Sequence, residues 1–129
     1  MEVNIPISIG ELVDKITILQ IKSENVKDDS KLKNINKEYE SLNKILSSLE
    51  LDENKFTPLY EELYKTNLKL WNIEDEIRLL EKKESFEEKF ISTARSVYIT
   101  NDIRFEIKNK INIIFGSEFI EEKSYKKYK

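Results

Sequence analysis

The segment TPLYEELYKTNLKLWNIEDEIRLLEK, residues 57–82, decides the fold, because it carries a long apolar seam with no glycine to interrupt it. Leu59, Leu63, Leu70, Ile73, Ile77 and Leu80 recur at spacings of three and four, with Thr66 in the same line, so one face of an α-helix is apolar. Thr57 as a capping hydroxyl and Pro58 at the first helical position predict where that helix begins.

Working outward, the same period recurs on both sides. Toward the N-terminus, Asp28-Asp29-Ser30 supplies a cap for a second helix whose seam is Leu32, Ile35, Tyr39, Leu42, Leu46 and Leu49. That stripe is narrow, which predicts a peripheral helix. Ser8 to Glu11 reads as a capping box opening a first helix with seam Leu12, Ile16, Leu19 and Val26. Before it, residues 1–7 alternate Val3, Ile5 and Ile7 with polar residues or Pro6, as a short edge strand or extended arm does.

Toward the C-terminus, Ser85 to Glu88 forms a second capping box, and Gly116 is placed to end the last helical region. Within it the apolar stripe changes sides. Phe90, Ile91, Ala94, Val97 and Tyr98 share one face, whereas Ile99, Ile103, Ile107, Ile111 and Ile114 line another. Thr100, Asn101 or Asp102 could cap a new helix, so the pattern fits either a break near residues 99–102 or one helix facing two neighbours. Residues 117–129 form a charged tail, with Phe119, Ile120, Tyr125 and Tyr128 available to dock.

Two glycines and two prolines in 129 residues leave few sharp turns. The expected architecture is therefore all-α: a single domain over residues 1–129, folded as an up-down bundle of four or five helices with a short extended N-terminal arm.

Composition bounds the function. Charged residues make up 36% of the chain but nearly cancel to −3, which disfavours nucleic acid as a partner. There is no cysteine and no histidine, which removes disulfides, thiolate chemistry, the usual base near neutral pH and nearly all zinc sites. No apolar run has membrane-spanning length, and a cytoplasmic protein with no membrane partner is expected. No cofactor is implied.

Only three of the 22 basic residues are arginine, and Arg78, Arg95 and Arg104 fall in one stretch. In a chain otherwise given to lysine, they suggest sites where a planar fork of donors is needed. Beside the leucine seam, Tyr60, Tyr64, Asn67, Trp71, Glu74 and Arg78 form a second stripe at helical spacing, suited either to a small-molecule cleft or to core and dimer contacts. Arg78, Arg95, Arg104 and Lys108, with Asp102 or Glu74 orienting a guanidinium, could clamp an anion between the third and fourth helices; the alternative is a set of interhelical salt bridges. Glu11 and Asp14 form a lone E-x-x-D. Without a preceding double-glutamate motif, it is read as ordinary acidic residues of a first helical turn, and no metal site is predicted.

The strings IPISIGELVDKITILQIK, LWNIEDEIR, ARSVYITNDIR and GSEFIEEKSY together resemble a family of small bacterial and marine all-helical proteins, a domain of unknown function sometimes encoded near glycosyltransferase or other polysaccharide genes. The resemblance covers nearly the whole chain and implies no reaction. A weaker similarity, to all-helical chorismate mutases, fails because those enzymes place arginine on the first helix, whereas the first arginine here is Arg78.

Two functional expectations follow. The first is a non-enzymatic or accessory helical module that self-associates as a homodimer, through an isoleucine face left needing a partner. The second is a protein or enzyme that binds a small anion, whether a phosphate, nucleotide sugar or dicarboxylate, through Arg78, Arg95, Arg104, Asn67, Trp71 and Asp102.

Overall fold

The computed structural model describes residues 1–129 as four α-helices and no strands: α1 (Ile9–Asn25), α2 (Asp29–Ser48), α3 (Glu53–Lys82) and α4 (Glu88–Ile114). The all-α bundle expected from periodicity is what forms, with four helices. The arm before Ser8 has no regular structure.

α1 is the hub. It packs against each of the other three helices, whereas the backbone of α2 approaches α1 alone. Accordingly α1 buries Leu12, Val13, Ile16, Leu19 and Ile21 on several sides, together with Gly10, Asp14 and Thr17, while α2 buries no residue fully. The pairings Gly10–Asn112 and Asp14–Arg104 set α1 antiparallel to α4. Phe56–Phe115 and Glu76–Lys89 do the same for α3 and α4. Val13, Leu59, Leu63, Ile107 and Ile111 form the centre of the core, ringed by Ile9, Leu46, Phe56, Tyr60 and Phe115.

Helix starts differ from the sequence reading in two places. α3 begins at Glu53, with the Asp52 carboxylate accepting from the Asn54 N–H, so Thr57 and Pro58 lie inside the helix. The earlier start places Phe56 on the helix, where its ring meets Tyr60 at 5.7 Å and Phe115 at 6.2 Å. Burial of that aromatic cluster offsets the backbone hydrogen bond that proline cannot make. α4 begins at Glu88 after Glu87, which makes no side-chain cap, so Ser85 does not open it. Ser85 instead completes the end of α3: its N–H bonds to the Leu80 carbonyl and that of Glu84 to Glu81, with Glu84 in the left-handed region at φ 53°. This is the Schellman arrangement, which forms again at the end of α4 with Gly116 at φ 66°.

α4 runs through residues 99–102 without a break. Its Ile107 and Ile111 enter the core, and Phe90, Ala94 and Val97 of the other stripe are half-buried, so one helix serves two environments. Ile99 and Ile103 remain exposed. The tail folds back along α4: Glu121 meets Lys108, Lys123 lies over the Phe105 ring, and Tyr128 stands edge-on to Tyr98.

The tightest approach is at Gly10. A Cβ there would overlap the Lys108 carbonyl oxygen and lie 2.9 Å from Asn112 Oδ1, which already accepts the Gly10 N–H at 2.6 Å. Gly10→Ala must push α1 and α4 apart, and urea denaturation should record a loss of about 1–3 kcal/mol.

Candidate functional site

Buried polar residues, among them Asp14, Thr17, Asn67 and Lys108, gather where α1, α3 and α4 meet. Asp14 lies on the buried side of α1 because Gly10, Asp14, Thr17 and Ile21 are spaced to share one face, and all four are buried. Arg104 of α4 grips the Asp14 carboxylate with two N–H groups, Nε to Oδ1 at 2.9 Å and Nη2 to Oδ2. Asn67 of α3 completes the junction, its Nδ2 donating to Asp14 Oδ1 at 2.9 Å and to Thr17 Oγ1 at 2.8 Å. One carboxylate thus ties three helices.

Lys108, one turn along α4 from Arg104, extends the network. Its buried ammonium donates to Glu11 at 2.8 Å and to Glu121 of the tail at 3.2 Å, and lies 3.8 Å from Asp14. Burial alone would raise the Asp14 pKa, but the hydrogen bonds and charge of Arg104, then Asn67 and Lys108, outweigh it and hold the carboxyl below its ordinary 3.8. For Lys108, burial pulls the pKa down, and the Glu11 hydrogen bond and the Asp14 charge more than offset it, leaving the ammonium above 10.5. Hydrogen bonding to Asp14 raises the Arg104 pKa further.

Beside this network the three helices leave an open cleft of about 520 Å³, lined by Ile18, Ile21, Asn67, Leu70, Trp71, Glu74, Asp75, Arg78, Asn101 and Arg104. Five of the residues singled out from sequence therefore line one cavity: Asn67, Trp71, Glu74, Arg78 and Arg104. Arg78 stands at the rim, largely in solvent, with its Nε on Glu74 at 3.3 Å. The other three are elsewhere. Arg95 is exposed on α4 outside the cleft and makes no ion pair, Asp102 lies beside Tyr128 of the tail, and Lys108 is committed to Glu11 and Glu121. The three arginines do not converge. Tyr60 and Tyr64, from the same sequence stripe as Trp71, instead hydrogen-bond to Gln20 and Glu24 of α1.

Sequence reasoning missed Asp14 as the centre of the site. It also missed Thr100, whose buried hydroxyl is the one fully buried side-chain polar atom without a partner. No group of acidic residues is arranged to hold a metal ion, and no helix is long and apolar enough to cross a membrane.

The ion pair gives two measurable consequences. Asp14→Ala leaves Arg104 without its counter-charge in a half-buried setting and should cost about 3 kcal/mol in urea denaturation, whereas Asp14→Leu with Arg104→Leu should recover part of that loss. Stability should also follow pH with a defined sign. The Asp14 contribution is complete above the ordinary carboxylate pKa of 3.8 and is lost as pH falls through the lower folded value. The Lys108 contribution is complete below 10.5 and is lost as pH rises through its higher folded value. With no histidine in the chain, the urea midpoint should stay flat between about pH 6 and 9.

No curated protein and no solved structure matches the chain. Residues 1–128 match DUF6165, a family of unknown function. The match spans nearly the whole chain, and the protein belongs to the DUF6165 family.

Proposed function

We propose that this protein is a non-enzymatic accessory module that works as a homodimer. The observation that carries this reading is its surface. The chain exposes 9634 Å², whereas a compact monomer of 15.4 kDa exposes about 7,200 Å². The arm and tail contribute part of the surplus of about 2,400 Å², and the whole is of the size that one subunit buries in a permanent dimer, about 1,000–2,500 Å².

The location of the surplus supports a second copy as the cover. At the α-helical rise, the 17 residues of α1 extend about 25 Å and the 30 residues of α3 about 45 Å, so the α3–α4 hairpin outruns the hub. Leu79, Phe86 and Ile91 are exposed on the part that outruns the hub, and Ile99 and Ile103 are exposed on α4 alongside it. A two-helix hairpin cannot bury its own flanks, and two such hairpins packed in coiled-coil fashion make a four-helix layer. With a net charge of −3 the two copies repel one another only weakly. The absence of cysteine supports a reducing, cytoplasmic setting.

An arginine clamp for a small anion draws less support. Asp14 already neutralises Arg104, Glu74 neutralises Arg78, and Arg95 stands apart.

Light scattering coupled to size exclusion should give twice 15.4 kDa for the native protein at micromolar concentration. Ile99→Glu combined with Ile103→Glu should give 15.4 kDa, with helical circular dichroism unchanged. A native protein of 15.4 kDa up to about 1 mM would remove the reading.

A further inference from the structure

We propose that the cleft at the junction of α1, α3 and α4 binds an uncharged, hydroxyl-bearing ring with one apolar face, the chemistry common to a glycoside and the ribose of a nucleoside. The inference rests on the cleft's lining and is independent of the homodimer reading.

Charge accounting weighs against the more obvious ligand. Two guanidiniums line the cleft, but Arg104 is held against Asp14 and Arg78 against Glu74, while Asp75 adds a further negative charge. A phosphate or dicarboxylate would find both guanidiniums already paired with carboxylates and would also meet the unpaired charge of Asp75. A cation would meet both arginines. The four charged lining residues cancel and Asp14 behind Arg104 brings the balance to −1, so what remains is a lining that draws in no anion but is rich in both donors and acceptors.

Those groups are of the kind that hydroxyls satisfy. Arg104 uses two of its five N–H groups on Asp14, and its side chain is 28% exposed, so its remaining donors are available at the cleft. Asn67 is more telling. It is only 5% exposed, both its observed bonds are made by Nδ2, and no protein donor reaches its Oδ1. Because Thr100 Oγ1 is the only fully sealed polar atom lacking a partner, Asn67 Oδ1 reaches the cleft, where it offers an acceptor. Asn101 adds an amide that makes no side-chain bond within the protein. A hydroxyl both donates and accepts, so a ring bearing several can meet Asn67 Oδ1, the Arg104 N–H groups and the Glu74 and Asp75 carboxylates together.

The apolar part of the lining supplies the other half of the match. Ile18, Ile21, Leu70 and Trp71 give a hydrocarbon and indole surface against which the C–H face of a sugar ring can lie. The cleft volume of about 520 Å³ falls in the range usual for small-molecule sites and accommodates one or two such rings.

Trp71 is the only tryptophan in the chain, so its fluorescence reports on this cleft alone. Titration of the intact protein with methyl α-glucopyranoside, methyl β-galactopyranoside and uridine should reveal at least one probe that changes Trp71 emission saturably, with Kd on the order of 1 mM. Binding should be nearly the same at about 0.05 and 0.5 M salt, as expected for an uncharged ligand. A response to the glycosides identifies a saccharide, and one to uridine alone identifies a nucleoside. Asn101→Ala removes no side-chain bond within the protein and should weaken binding about tenfold while leaving thermal unfolding unchanged. The proposal is overturned if inorganic phosphate or succinate is the probe that binds, with affinity falling as salt rises, or if none of the three neutral rings alters the emission.

Discussion

The bidentate contact between Asp14 and Arg104 is the constraint around which the bundle is arranged. Placing a carboxylate in a helical interior is unfavourable unless its oxygens are fully engaged, and here Arg104 and Asn67 engage them while Lys108 adds charge from 3.8 Å. The arrangement fixes rotation as well as proximity. For Asp14 to meet both Arg104 and Asn67, α1 can take only one orientation about its axis, and that orientation also turns Val13 into the core and Gly10 against α4. Hydrophobic burial supplies most of the stabilisation, and the ion pair selects which packing is reached.

The helices themselves were legible because apolar residues at spacings of three and four, with almost no glycine, leave few alternatives. α2 reads as peripheral and is peripheral, since its seam is one residue wide and its neighbour is α1. Helix starts were less legible. Thr57 and Pro58 carry a genuine local signal, but the aromatic contacts of Phe56 draw the helix one turn earlier, a tertiary effect that local chemistry does not encode.

At the site, the scarcity of arginine drew attention to Arg104, which lies on Asp14, and helical spacing grouped Asn67, Trp71, Glu74 and Arg78, which line one cleft. Asp14 was hidden because an acid beside an apolar seam near a helix start has an ordinary explanation in the helix dipole. The signal that could have found it is the line Gly10, Asp14, Thr17, Ile21: small and polar residues at spacings of four and three on a helix otherwise apolar on several sides. Arg95 misled for the complementary reason. Its proximity in sequence to Arg104 says nothing of direction, and the two stand on different faces of α4, one meeting the junction and the other water.

The position of α1 in the chain has a kinetic consequence. The helix at the centre of the molecule is the first to be synthesised, yet Gly10 waits for Asn112 and the Ile9 N–H for the Ser117 hydroxyl, separations of 102 and 108 residues. Until the last helix is available, Asp14 has Asn67 but not Arg104, and Val13 has Leu59 and Leu63 but not Ile107 and Ile111, so the core of a nascent chain remains open on one side. Native order is reached late, in one cooperative closure that joins the start of α1 to the end of α4.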